Sequence, residues 1–186
     1  MTRRLLSLAL IAVAALALSA CGSRVDTVTH GESEADYVTL GKLQYQVQLS
    51  RQLNPAFIGD RDFLVGLNPV DRTLKSNEIL FAIWLRVYNK SGTTALSADT
   101  FKIVDTRGRE YEPISLAKVN RFAYRPAPVQ DQSRLPAPGS AADGTPTSGA
   151  LVVYRLPVDA LDFRPLELAF SDSTAPKVES TIRLDV

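Results

Sequence analysis

Cysteine and histidine are nearly absent from this chain of 186 residues: each occurs once, as Cys21 and His30. A single cysteine excludes an intramolecular disulfide. Structural zinc needs about four Cys or His ligands, and a blue-copper site needs two His, a Cys and usually a Met. Met1 is the only methionine, so both site types are excluded by inventory. Serine–histidine or cysteine–histidine catalysis has only one imidazole to build on. Excess charge is missing as well. The net charge is +1, and setting aside Arg3 and Arg4 of the leader described next leaves 19 basic against 20 acidic residues. Such a balance makes no field to draw nucleic acid or an anionic surface. No glycine-rich phosphate loop occurs. No long segment carries helical periodicity, so a helical domain is not expected.

What is present begins with the leader. Arg3-Arg4 is followed by Leu5 to Leu18, apolar except for Ser7. As a helix this stretch covers about 21 Å, short of a bilayer core of roughly 30 Å. The pattern is that of a signal peptide, not a membrane span. It ends in Leu18-Ser19-Ala20-Cys21-Gly22, which resembles the lipobox of bacterial lipoproteins. The resemblance implies cleavage between Ala20 and Cys21 and a diacylglyceryl thioether on Cys21. It further implies a lipid-anchored protein at the extracytoplasmic face of the bacterial cell membrane, since two acyl chains anchor firmly.

Three parts are therefore expected: a signal peptide over 1–20, a flexible tether over 21–36 and a folded domain over 37–186. Residues 22–36 are polar and aperiodic, the composition of a spacer. His30 lies there and is expected to have no fixed partner. In the domain, Leu43, Tyr45, Val47 and Leu49 alternate with polar residues, predicting a strand with one buried face. From Asn77 to Asn89, Ile79, Phe81, Ile83, Leu85 and Val87 share one face. Leu80, Ala82, Trp84, Arg86 and Tyr88 share the other. Apolar residues on both faces predict a central strand, long enough to need a bulge or bend. Asn89-Lys90-Ser91-Gly92 predicts a turn, and Asp105-Thr106-Arg107-Gly108 a hairpin between 101–104 and 109–111. Residues 150–156, 166–170 and 178–186 predict further strands. A short strand or turn is predicted at 113–116. Leu53 to Leu67 has room for one short helix, but Pro55, Gly59 and Gly66 favour a loop. The sum is an all-β sandwich or barrel with little or no helix. Residues 125–149, rich in Pro, Gly, Ala and Ser, predict a long irregular insert, dispensable for folding and capable of polyproline II.

Three stretches carry a family resemblance: Phe81-Ala82-Ile83-Trp84-Leu85-Arg86-Val87-Tyr88-Asn89-Lys90-Ser91-Gly92, Val104 to Tyr111, and Gly149-Ala150-Leu151-Val152-Val153-Tyr154-Arg155-Leu156-Pro157. Together they resemble the immunoglobulin-like domain of exported proteins labelled DUF4352. Tyr154 stands where that family usually has Phe, and Leu156 where it has Val. The resemblance implies an immunoglobulin-like β-sandwich in an exported, often anchored module. It implies no activity, because fold alone does not give function.

Candidate chemistry is sparse. Asp60, Asp62 and Asp71 are hard oxygen ligands in loop-like sequence, a weak calcium possibility without the further acids of an EF-hand. Ser115 and Lys118 have Ser-x-x-Lys spacing but no partner motifs. Asn120-Arg121-Phe122-Ala123-Tyr124-Arg125-Pro126 interleaves aromatic and basic residues, and Arg121, Tyr124 and Arg125 are the candidate partner-binding side chains. The competing expectation places Phe122 in the core and Tyr124 over an edge. Trp84 is expected in the core. No enzyme and no cofactor are expected. The favoured function is a non-catalytic binding module whose partners are the membrane, through Cys21, and a protein or polymer of the cell envelope. The alternative is a glycan hydrolase using two carboxylates.

Overall fold

The computed structural model describes residues 27–144, 147–174 and 178–185. Thirteen strands follow in chain order: β1 (His30–Gly31), β2 (Val38–Leu40), β3 (Leu43–Leu53), β4 (Glu78–Asn89), β5 (Ala95–Leu96), β6 (Thr100–Val104), β7 (Glu110–Tyr111), β8 (Pro113–Ile114), β9 (Pro128–Val129), β10 (Ser133–Leu135), β11 (Ala150–Pro157), β12 (Glu167–Ser171) and β13 (Glu179–Arg183). They form a β-sandwich. One sheet has the order β1-β13-β12-β6-β7, the other β2-β3-β4-β11-β8, and β5 pairs with β9 separately.

β4 organises both sides of its sheet. Its odd-numbered residues, Ile79 to Val87, enter the core between the sheets with Tyr45, Phe101, Tyr154, Leu168 and Phe170. Its even-numbered Leu80, Ala82 and Trp84 enter a second apolar cluster on the sheet's outer face. β11 divides the same way, Val152 and Tyr154 inward, Leu151 and Val153 outward. A strand buried on both faces needs cover on both, and the outer cover is the chain between β3 and β4. There a 3-10 helix (Ile58–Leu64) and one turn of α-helix, α1 (Pro69–Arg72), lie over the sheet. Phe63 meets the Trp84 and Phe122 rings edge-on at 5.2 and 5.1 Å. The short helix that Pro55, Gly59 and Gly66 argued against is formed as 3-10 turns, with Pro55 and Gly66 outside it and Gly59 within its first turn.

The bulge or bend expected in the long 77–89 run is not found there: β4 pairs with β11 without a shift, and the bulge lies in its neighbour β3. Val47 faces Leu85 but Leu49 faces Trp84, so Gln48 is the extra residue. Period-two pairing then flips, and Leu49 joins the outer cluster instead of continuing the face of Leu43, Tyr45 and Val47. The Asp105–Gly108 turn forms as expected: Ile103 pairs with Tyr111, and Gly108 takes φ +75°. The turn at Gly92, φ +78°, is also present.

Two expectations are corrected. Residues 27–36 of the expected tether are part of the sandwich. β1 pairs in parallel with β13, and the Glu34 carboxylate accepts hydrogen bonds from Ser50 N, Ser50 Oγ and Asp185 N. Asp36 accepts from the amides of Glu32 and Ser33. These polar side chains are consumed as backbone acceptors, so their lack of apolar periodicity did not mean disorder. The rest of the expected tether, and the signal peptide with Ala20 and Cys21, lie outside the described residues. The Pro-rich insert is ordered where described and contributes strands. β10 pairs with Val87–Asn89 of β4, just beyond the point where β11 pairing ends at Leu85. Without it, the last turn of a long strand would expose an unpaired edge.

Candidate functional site

The site is built on the chain covering the outer cluster. Asp60, 2% exposed, holds this cover down. Its carboxylate takes Arg51 Nη2 at 2.6 Å, Arg51 Nη1 at 3.2 Å and the amide of Asn54 at 2.8 Å. Burial alone would raise the Asp60 pKa, but the Arg51 hydrogen bonds outweigh it and hold the group below the usual carboxylate range. The same guanidinium lies 5.1 Å over the Trp84 ring. Asn120 ties a second loop to this cover, donating from Nδ2 to the carbonyls of Phe63 and Val65, both at 2.8 Å.

A groove of about 350 Å³ opens beside these anchors, lined by Pro55, Leu64, Val65, Leu67 and Leu80, with Arg61 and Arg72. A smaller hollow of about 230 Å³ shares Val65 and adds Asp62, Val119, Arg121 and Phe122. Large apolar side chains are left in solvent on the same segments: Ile58 is 75% exposed, Val119 69%, Val70 65% and Phe57 57%. Of these, Val119 lines the hollow, and Phe57, Ile58 and Val70 lie in sequence beside groove residues of the cover. Among the described residues, Arg61, Arg72 and Arg121 form no ion pair, nor do Arg86, Arg125 and Arg164, whereas Arg51, Arg107, Arg109, Arg134, Arg155 and Arg183 do. Arg72 keeps one hydrogen bond, from Nε to the Leu67 carbonyl at 3.2 Å, and Arg121 lies 5.4 Å over the Phe122 ring.

Of the residues predicted as partner-binding, Tyr124 and Arg125 line one hollow of about 150 Å³ while Arg121 lines another, that of Val119. Arg121 is on the surface. Tyr124 is 8% exposed, with its hydroxyl donating to the Ala98 carbonyl and its ring edge-on to Phe101 at 5.0 Å. Its ring belongs to the core between the sheets, whereas Phe122 belongs to the outer cluster. Arg125 is tied to the carbonyls of Leu116 and Ala117, 2.8 Å each. Trp84 is fully buried, as expected. His30 has partners after all: Nδ1 lies 2.6 Å from Thr181 Oγ1 and Nε2 lies 3.3 Å from Glu32.

The carboxylates raised as calcium ligands do not converge. Asp60 belongs to Arg51, and Asp71 pairs with Arg155 at 2.7 Å. Among the described residues, no three His, Cys, Asp or Glu side chains are grouped to hold a metal ion. The other well-buried carboxylates are also engaged. Asp105 accepts from Arg107, Tyr111 and the amides of Arg107 and Arg109, and Glu34 joins Ser50 to Asp185. Ser115 and Lys118 are both exposed. Sequence reasoning missed Arg61, Arg72 and Val65. The available signal was Phe57-Ile58 followed by Arg61 and Val65 in a stretch otherwise marked as loop, since apolar residues in a loop need a reason.

No family model and no curated protein match the chain. Among solved structures, the chain is similar to the yjhA protein from Bacillus subtilis, at 10% identity and a TM-score of 0.51, covering 83% of this chain and 99% of that one. It is also similar to a "putative lipoprotein (ycdA)" from Bacillus subtilis subsp. subtilis str. 168, at 8% identity and a TM-score of 0.52. That match covers 83% of this chain and 39% of the other. An "uncharacterized beta-sandwich protein" from Clostridium difficile 630 aligns at 9% identity, a TM-score of 0.41, and 82% and 93% coverage. The first two show the likeness of fold. Among the described residues, no helix is long and apolar enough to cross a membrane.

Proposed function

We propose that this chain is an extracytoplasmic lipoprotein, held to the membrane by lipid on Cys21, whose sandwich is a non-catalytic binding module. The observation that carries the binding half is the groove of Pro55, Leu64, Leu67 and Leu80 flanked by two arginines without carboxylate partners. Concave apolar surface with a few placed polar groups is the common form of a binding site. The anchoring half rests on the Leu18-Ser19-Ala20-Cys21 pattern after an apolar leader. The ycdA likeness in fold agrees with it. The turn and strand signatures at 81–92, 104–111 and 149–157 keep kinship with the DUF4352-type immunoglobulin-like domains within this reading. Engagement of Asp60, Asp105 and Glu34 in structural hydrogen bonds weighs against the glycan hydrolase alternative.

Fractionation of cells expressing wild type and Cys21→Ser tests the anchor. Wild type is expected in the membrane fraction with the mass of a diacylated, leaderless chain, and the variant is expected without that lipid mass. Equal soluble partitioning of both would refute the anchor.

A further inference from the structure

We infer that the groove beside Arg61 and Arg72 takes an extended peptide segment of a partner protein in which apolar side chains alternate with carboxylates. This deepens the binding-module reading and rests on it. Three observations point to this occupant.

The first is charge. Arg61 and Arg72 at the groove, and Arg121 at the adjoining hollow, have no ion-pair partner among the described residues, while Asp62 is the single carboxylate lining either hollow. Arginine is suited to carboxylate recognition because its planar fork can donate two parallel hydrogen bonds. The second is shape. Val65 joins the groove to the hollow that contains Val119, so the apolar surface runs on past a single enclosed pocket. A small ligand would leave much of it uncovered, whereas an extended peptide presents side chains at a regular spacing along it.

The third is placement relative to the anchor. Val28 bonds Thr39, which pairs through Gln44 to Tyr88. Leu80, at the groove, lies eight residues along β4 from Tyr88, about 26 Å. From Cys21 to Thr27 the chain can extend at most about 20 Å. A domain standing with its groove end on the bilayer would hold Thr27 out of reach of a lipidated Cys21. An end-on bilayer is thereby disfavoured as the occupant, and the carboxylate preference of the two arginines favours a segment of another envelope protein.

The test uses the full chain in mild nonionic detergent and two fluorescein-labelled synthetic peptides, one alternating leucine with glutamate and one alternating leucine with lysine. Anisotropy is expected to show the glutamate peptide binding at least about tenfold more tightly than the lysine peptide. The double substitution Arg61→Glu/Arg72→Glu is expected to abolish that preference while the chain stays folded, its thermal midpoint lowered by no more than a few degrees through loss of the Arg72 bond to Leu67. Equal affinity for the two peptides, no binding of either, or an unchanged preference in the folded double variant would overturn the inference. Sedimentation of the unlipidated Cys21→Ser chain with anionic phosphatidylglycerol vesicles, lost on Arg61→Glu/Arg72→Glu, would also overturn it by making the bilayer the occupant. Failure of the anchor appears separately, as wild type absent from membranes, and leaves the anisotropy result intact.

Discussion

Asp105 and Gly149 show how much of this fold rests on single positions. Asp105 is nearly fully buried, which alone would raise its pKa. The side chain of Arg107, the amide of Arg109 and the hydroxyl of Tyr111 reverse that and bring it to about 2. A carboxylate depressed in the folded state contributes stability that is complete above its unfolded pKa, near 3.9, and is lost as pH falls toward the folded value. Asp105→Asn is therefore expected to cost about 2–3 kcal/mol at neutral pH. Its stability should also fall less steeply than wild type between about pH 4 and about pH 2. Urea unfolding at several pH values checks both, and parallel curves through that window would contradict the assignment. Gly149 is a matter of space. A Cβ there would stand 2.9 Å from Trp84 C and Cβ and 3.0 Å from Leu85 N, two of them backbone atoms of the central strand. Gly149→Ala is expected to lose about 1–3 kcal/mol, read as a lowered thermal midpoint.

At the scale of elements, the insert 125–149 matters most. It supplies β9 and β10, buried Val129 and Ala142, and the pairing that finishes the edge of β4. Deleting 126–148 is expected to lower the thermal midpoint by more than about 10 °C or to give insoluble protein, through the exposed end of β4. A soluble deletion variant with an unchanged midpoint would refute this. The same elements show what the sequence makes legible. β4 was readable because its apolar residues occupy both faces in one unbroken run from Ile79 to Leu85, and the 105–108 turn because Asp and Gly sit where the geometry needs them. The insert's pairing was not, since Ser133-Arg134-Leu135 has no periodicity and its partner lies far off in sequence. The break at Gln48 was hidden for a related reason: a bulge reverses the facing of Leu49 without any change in composition. The groove stayed illegible because Leu64, Leu67 and Leu80 come together only when the cover folds over the sheet.

For the whole molecule, the folded unit starts close to the expected lipid, so orientation becomes measurable. Lys42 lies in the turn between β2 and β3, at the end of the sandwich where the chain enters, while Ile58 lies past the far end of β3. Since Cys21 is the one native thiol, Lys42→Cys and Ile58→Cys can each be labelled alone in the lipidated protein. With a headgroup quencher in nanodiscs, the dye at position 42 is expected to be quenched more strongly than the dye at position 58. The reverse order would mean that the groove end faces the bilayer.

Trp84, the only tryptophan, turns the cover of the sheet into something that can be watched optically. Its indole is fully buried, and its Nε1 has no hydrogen-bond partner among the described residues. Phe63 and the Arg51–Asp60 pair belong to or hold the cover, while β4 holds the ring from beneath. Emission at short wavelength should therefore shift to the red when the cover lifts, ahead of any loss of strand signal in circular dichroism. One chromophore can thus time an opening event that leaves the rest of the architecture standing.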